Sequence, residues 1–309
     1  MVKCKICHKS FEEDKNLHSH LKSHKITVSD YYHTHFPRKD LLSGELIIFK
    51  NKEQYFESDF NSKINFKRWA KNSDPLIVGD YCKSLLLKRK NKKKSIYPFS
   101  QVELKSSGIP SINFLETIIG DYYKFCEDNG FEKKFLNVNN LQIENNIPSD
   151  LFIYVDTREQ KPIDFSMQTQ VKKLDFGDYC LSDLDVSGKT FIERKSLKDF
   201  IGTLVAGYDR FCREIERAAE NESVIVVVVE NDLSTCLKFN YLSYISRNTK
   251  VNPDFVFHKV RSLMSIYKNV QFLFVDDRKE SSRVIEKIFI NKDIAANYDL
   301  QLLYDIKKL

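Results

Sequence analysis

Six consecutive β-branched residues, Val224-Ile225-Val226-Val227-Val228-Val229, restrict what this chain can fold into more than any other feature. A strand with one wet face alternates apolar and polar side chains, so an unbroken apolar run predicts a strand covered on both faces. Covering both faces of a sheet takes helices. Leu151–Val155, Thr190–Ile192 and Val270–Val275 are further β-rich apolar runs, and Ser196–Ala219, Asp254–Tyr267 and Ser281–Ile290 have the apolar spacing of helices. Strands alternating with helices predict an α/β domain built on a central sheet.

The 309 residues are 42% hydrophobic and 30% charged, which suits an ordinary core and excludes wholly disordered, collagen-like and membrane-embedded classes. Two or three domains are expected at roughly 100–200 residues each. No run of about 18 uncharged apolar residues occurs, and Met1-Val2-Lys3-Cys4-Lys5 lacks the apolar core of a signal peptide. The expectation is a soluble, intracellular protein without membrane contact. Of seven cysteines, five stand singly, so a reducing compartment is expected rather than a disulfide framework. The net charge is +6, and its surplus is N-terminal: residues 1–150 hold 25 Lys/Arg against 19 Asp/Glu, residues 151–309 hold 24 of each. Such a surplus suits a polyanionic partner and equally a solvated surface.

Boundaries follow from turn signals and composition. Residues 1–25 hold four of the seven histidines and the one close cysteine pair, and Lys25–Asp30 reads as a linker. Residues 31–148 are rich in lysine and aromatics, with helical stretches around 53–70, 76–90 and 113–129, so a mostly α-helical middle domain is expected. Its aromatics read as core. Lys88, Arg89, Lys90, Lys92, Lys93 and Lys94 read either as a solvated loop or as contacts to a nucleic-acid backbone. The polar segment Glu144–Asp150, with Pro148, marks the boundary to an α/β domain over 151–292, and 293–309 is expected to be a short C-terminal tail.

Cys4-x2-Cys7, then Phe11, Leu17, His20 and His24, place two thiolates on a tight knuckle and two imidazoles one helical turn apart. Four such donors close a tetrahedron around Zn²⁺, with Phe11 and Leu17 as the small core so short a chain needs. The spacing resembles a Cys2His2 zinc finger, a ββα unit, at every framework position. His8 and His18 lack the ligand spacing and read as bystanders. The finger helix offers Lys15, Asn16 and His18 for docking to DNA or to protein.

The densest chemistry lies between Asp156 and Asp199. Apolar strands run into Asp156-Thr157-Arg158-Glu159 and Glu193-Arg194-Lys195, and Gly177-Asp178-Tyr179 sets a carboxylate beside a flexible glycine. Singly, each reads as a surface ion pair. Together, acids at three strand ends are costly without a cation, and Asp178 and Glu193 are hard oxygen donors suited to Mg²⁺ or Mn²⁺. Lys195, two positions beyond Glu193, leaves the strand on the same face. Two acids and a lysine around a divalent ion suit phosphodiester hydrolysis.

Val-Asp-x-Arg-Glu at 155–159, Gly-Asp-Tyr at 177–179 and Glu-Arg-Lys-x3-Asp at 193–199 resemble the nuclease domain of the XPF family of structure-specific endonucleases, a branch of the PD-(D/E)xK fold. The likeness continues through Phe200–Leu204, Tyr208–Phe211 and the later strands, covering roughly 151–292. It implies a restriction-endonuclease-like central sheet with flanking helices. It further implies Asp178 and Glu193 as Mg²⁺ or Mn²⁺ ligands, Asp156 assisting the metal or its water, and Lys195 as catalytic lysine. Arg158, Glu159, Arg194 and Asp199 fall at motif positions that contact phosphate or support the site, and Tyr208 and Arg210 are candidate DNA contacts on the following helix. Family members usually add tandem helix-hairpin-helix modules that bind DNA and support dimerisation. The 18 residues after Asn291 are too few for these, and 293–309 contain no glycine for their turns. A dimer through the nuclease domain is thus left open. The expected function is metal-dependent DNA endonuclease on branched or structured DNA, the alternative a non-catalytic DNA-binding or scaffold protein with an inactive nuclease fold. Retention of Asp178, Glu193 and Lys195 favours the enzyme.

Overall fold

The computed structural model describes residues 1–147, 149–182, 189–246 and 250–309, without the side chains of Glu53, Lys92, Lys93 and Ser246. The chain divides into two compact units, Met1–Pro75 with Ser107–Pro110, and Leu76–Ser106 with Ser111–Leu309. The break falls at Pro75 rather than at 25–31 or 148–151, so residues 31–148 are shared between the units.

In the first unit β1 (Val2–Lys3) and β2 (Ser10–Phe11) pair antiparallel and lead into α1 (Asp14–His20), whose last turn tightens into a 3-10 turn ending at His24. A ββα arrangement is therefore present, but its core does not stop at residue 25. α2 (Val28–His35) starts at Thr27, whose hydroxyl oxygen accepts the Asp30 N–H, and α3 (Lys52–Glu57) is capped likewise by Asn51. Leu17 and Leu21 of the small unit share one buried core with Tyr31, Tyr32, Ile47 and Tyr55. So short a ββα segment encloses little apolar surface, and the added aromatics supply it. α4 (Lys63–Asn72) follows, capped by Ser62, so the helix expected over 53–70 is in fact two.

α5 (Pro75–Lys93) leads into the second unit, followed by α6 (Gln101–Ser106), α7 (Ile112–Ile119) and α8 (Tyr122–Asp128). The helix expected over 113–129 breaks at Gly120, whose φ of +76° only glycine adopts cheaply. Then come β3 (Ile153–Val155), β4 (Thr169–Val171), β5 (Tyr179–Leu181) and β6 (Thr190–Lys195), α9 (Leu197–Val205) and α10 (Tyr208–Glu220). β7 (Val224–Val229), α11 (Leu233–Cys236), α12 (Ser243–Ser246), α13 (Pro253–Ile266), β8 (Val270–Phe274), α14 (Arg278–Ile290), α15 (Ile294–Asn297) and α16 (Leu300–Asp305) complete it.

The six strands form one mixed, mostly parallel sheet in the order β4-β3-β5-β6-β7-β8, antiparallel only at β3–β5 and β5–β6. Every residue of β7 is buried, as its unbroken apolar run predicts. Phe200 and Leu204 of α9, Phe211 and Ile215 of α10 and Phe257 of α13 pack on Phe272 and Phe274 of β8 and on Val227 of β7.

Residues 293–309 are not a tail. α15 and α16 cover the β8 edge: the Gln271 amide donates to Ala295 O (2.6 Å) and Tyr298 O (2.9 Å), and Gln301 Oε1 accepts the Phe274 N–H at 2.8 Å. Side-chain amides thus satisfy an edge that would otherwise be open. Helices of the expected middle domain join the same body. Gln101 N–H (2.7 Å) and Tyr123 O–H (3.0 Å) both donate to buried Asp299, and Val102 lies in the sheet's own core. Among the described residues no helix is long and apolar enough to cross a membrane.

Candidate active site

The strand register explains why residues distant in sequence converge. Val155 faces Tyr179 across β3 and β5, and Tyr179 faces Ile192 across β5 and β6. One step further along each strand come Asp156, Asp178 and Glu193, at one level of three neighbouring strands about 4.8 Å apart. The backbone continues that ladder: Asp156 N–H donates to Asp178 O at 2.8 Å, and Asp178 N–H to Ile192 O at 2.7 Å. Gly177 is required here. Its φ is +59°, and a Cβ would stand 2.6 Å from Ile192 O.

Asp178 and Glu193 line one cavity of about 470 Å³ with Asp156, Asp175 and Glu214. Arg158, Arg210, Arg213 and Arg217 line it too. Burial and then the neighbouring Glu193 carboxylate push Asp178 up to about 7. Glu214, from α10, is raised by burial and then by Glu193, and it accepts the Gly177 N–H. Lys195 lies on the Glu193 face, as the two-residue period requires, and its ammonium contacts Glu193 Oε1, each side chain 15% exposed. Two oxygen donors in mutual repulsion, partly buried and flanked by a lysine, fit a hard divalent cation such as Mg²⁺ or Mn²⁺.

Asp156 is turned to another task. Its Oδ1 accepts from the Arg158 N–H (2.8 Å) and Nε–H (2.6 Å), and its Oδ2 from the Leu174 N–H (2.6 Å). Burial opposes its ionisation, but these donors outweigh it and hold the carboxyl below the usual range. Both oxygens are committed, whereas Asp178 gives one oxygen, Oδ2, to the Arg194 N–H (2.7 Å) and Glu193 gives Oε1 to Lys195. Arg194 leaves β6 on the opposite face and pairs with Glu159 (3.1 Å) and Glu230 (3.2 Å), tying the strand ends together away from the cavity. Asp199 sits in the first turn of α9, where its N–H and carboxylate both bond Ser196 Oγ.

Of the proposed DNA contacts, Arg210 lines the cavity while Tyr208 packs under Lys259, whose Nζ is 3.9 Å from its ring centre. Arg89 does not belong to a basic surface. It is 5% exposed and bonds the fully buried Glu103 at 2.6 Å, a partner fourteen residues away that the charge run conceals. Lys90 donates to Gly130 O at 3.3 Å, Lys88 and Lys94 are exposed, and the side chains of Lys92 and Lys93 lie outside the description. Glu214, Arg213 and Arg217 were not singled out by sequence, because charges three, four and seven positions after Arg210 on a helix look the same whether they face solvent or a site.

The N-terminal donors also meet. Cys7 Sγ lies 3.1 Å from His20 Nε2, Cys4 Sγ 3.7 Å from His24 Nε2, and all four ligand atoms lie within 4.8 Å of one another. A tetrahedral Zn²⁺ with bonds of about 2.0–2.3 Å separates its ligands by about 3.3–3.8 Å, so the donor set fits. Among the described residues this is the one group of three or more such donors close enough to share an ion. His18 is a bystander to it, but not a free one, since its Nε2 is 3.1 Å from Tyr32 Oη.

A mostly parallel sheet flanked by helices, with a lysine and two acids at the ends of neighbouring strands, defines an α/β class with an acidic site at one sheet end. Residues 155–288 match the ERCC4 domain. Solved structures similar to this chain include XPF from Aeropyrum pernix, and the same protein in complex with DNA, each at 22% identity and a TM-score of 0.32. Each likeness covers 44% of this chain, and 59% and 62% of those chains respectively. This chain therefore spans about three fifths of their length. Among curated proteins none matches.

Proposed function

We propose that this chain is a metal-dependent DNA endonuclease that hydrolyses phosphodiester bonds, acting on branched or otherwise structured DNA. The observation that carries this reading is the meeting of Asp178 and Glu193 at one level of neighbouring strands, both lining the cavity, with the Lys195 ammonium held on Glu193. Asp178 and Glu193 would hold Mg²⁺ or Mn²⁺, which when bound polarises the phosphate and lowers the pKa of its water. Lys195 sets a positive charge where negative charge develops on the phosphate, and its contact with Glu193 fixes where that charge stands. Asp156 holds Arg158 and the Leu174 turn, so it supports the wall on which Asp178 is mounted. Glu159 and Arg194 brace the same strand ends from the opposite face. Cys4, Cys7, His20 and His24 would hold a structural Zn²⁺.

The test is incubation of labelled flap, fork, duplex and single-stranded DNA with Mg²⁺ or Mn²⁺, with wild-type protein and Asp178→Ala in parallel. Cleavage by the wild type alone is expected. Cleavage by both alike, or by neither, overturns the reading and leaves a non-catalytic DNA-binding protein as its replacement.

A further inference from the structure

The cavity has two walls of opposite charge, and the endonuclease reading uses only one. Four carboxylates, Asp156, Asp175, Asp178 and Glu193, come from the sheet side with Arg158 among them, a surface that by itself repels a phosphate backbone. The other wall is α10. Its Phe211, Ile215 and Ala218 are buried against the sheet, which turns Arg210, Arg213 and Arg217 outward along one stripe at i, i+3 and i+7. That stripe is about 10.5 Å long at 1.5 Å per residue, the axial length of about three phosphates of one strand. All three arginines are exposed, and all three border the cavity.

α10 is also fixed relative to the acids. Glu214, between the arginines, accepts the N–H of Gly177, the residue before Asp178. The Arg217 guanidinium lies over the Phe176 ring, 5.6 Å from its centre, one residue earlier in the same turn. The guanidinium stripe and the carboxylate pair are therefore held at a set separation, as a strand-binding groove needs. Guanidinium is also the group whose fork of donors matches phosphate oxygens.

We propose that Arg210, Arg213 and Arg217 form a phosphate subsite that holds the backbone of the strand to be cut against Asp178 and Glu193. This rests on the endonuclease reading for what is cut, but it is tested by binding. Full-length Asp178→Asn protein is titrated with fluorescein-labelled duplex and forked DNA across a salt series, with and without Arg213→Gln and Arg217→Gln together. The expected result is about tenfold or greater weakening at low salt and a fall of about 1–2 in the slope of log K against log salt, with lysine at both positions restoring the slope. An unchanged slope overturns the subsite, as does a lysine pair as weak as the glutamine pair, since charge would then not be what matters. If wild-type protein cuts DNA while the slope is unchanged, the subsite fails and the endonuclease reading stands. If it cuts nothing while the slope falls, the subsite stands and that reading fails.

Discussion

At Gly177 a single hydrogen atom decides whether the site assembles. A side chain there would press on the Ile192 carbonyl from 2.6 Å in a backbone conformation that L-residues avoid, and Asp178 is the next residue. Gly177→Ala should cost about 2 kcal/mol or more, from left-handed strain plus the clash, and should lower cleavage at least tenfold. Urea denaturation and single-turnover cleavage read the two effects; an unperturbed midpoint with full activity would contradict this account of the turn. Glu193 and Lys195 were readable on one face from a strand's two-residue period, whereas Asp178 is brought beside Glu193 by the antiparallel register of β5 and β6, which spacing in sequence does not show. Asp156 shows the limit of such reading: its motif position was visible, but the three donors that occupy both its oxygens come from Arg158 and from Leu174, eighteen residues on.

Among the elements, the ββα segment departs most from an isolated finger. Its helix carries His18 to Tyr32 and Asp14 to Lys52, so the face offered for base contacts is partly engaged by its own neighbours. Of the metal donors, Cys4 shares one core with the tyrosines. Cys4→Ser should therefore loosen more than residues 1–25: it should expose Tyr31, Tyr32 and Tyr55 and open residues 26–57 to limited proteolysis. Protection of 26–57 in that variant would show that α2 and α3 stand without the metal cluster. The strands β7 and β8 were legible because burial on both faces writes itself as continuous apolar sequence. β4, all exposed, and β5, three residues long, carry no such signature. The helix expected over 196–219 is broken at Ala206-Gly207, and α16 was missed because six residues are too few to show a helical period, although Leu300, Leu302 and Leu303 are buried, and its Gln301 anchor on the β8 backbone is polar.

Across the whole second unit, buried charges bind the helices of 76–148 to α13 and α16. Arg89 and Glu103 are paired, and Lys134, 3% exposed, donates to Met264 O at 2.5 Å. Burial lowers the Lys134 pKa to about 8, although Glu103 opposes the shift. The unfolded chain keeps this proton up to about 10.4, so between about 8 and that value it binds more protons than the folded one and stability rises with pH. Below that window the buried ammonium costs about 3 kcal/mol at most. Relative to Lys134→Met, wild-type protein should gain stability from pH of about 8 to about 10; parallel profiles in urea denaturation would contradict it. Such pairings span residues 14 to 198 positions apart, which is why 88–94 read as a surface run and 31–148 as a separate domain.

The central claim is that Asp178 and Glu193 act as one unit with Lys195 on a bound phosphodiester. Single-turnover cleavage of labelled forked DNA in Mg²⁺ tests it most directly, with Asp178→Asn, Glu193→Gln and the double variant compared with wild type. The account predicts that each single variant loses about 10³-fold in rate and that the double loses hardly more, as for residues that work together. Wild-type protein that does not cut, single variants that cut at the wild-type rate, or losses that multiply in the double would contradict it.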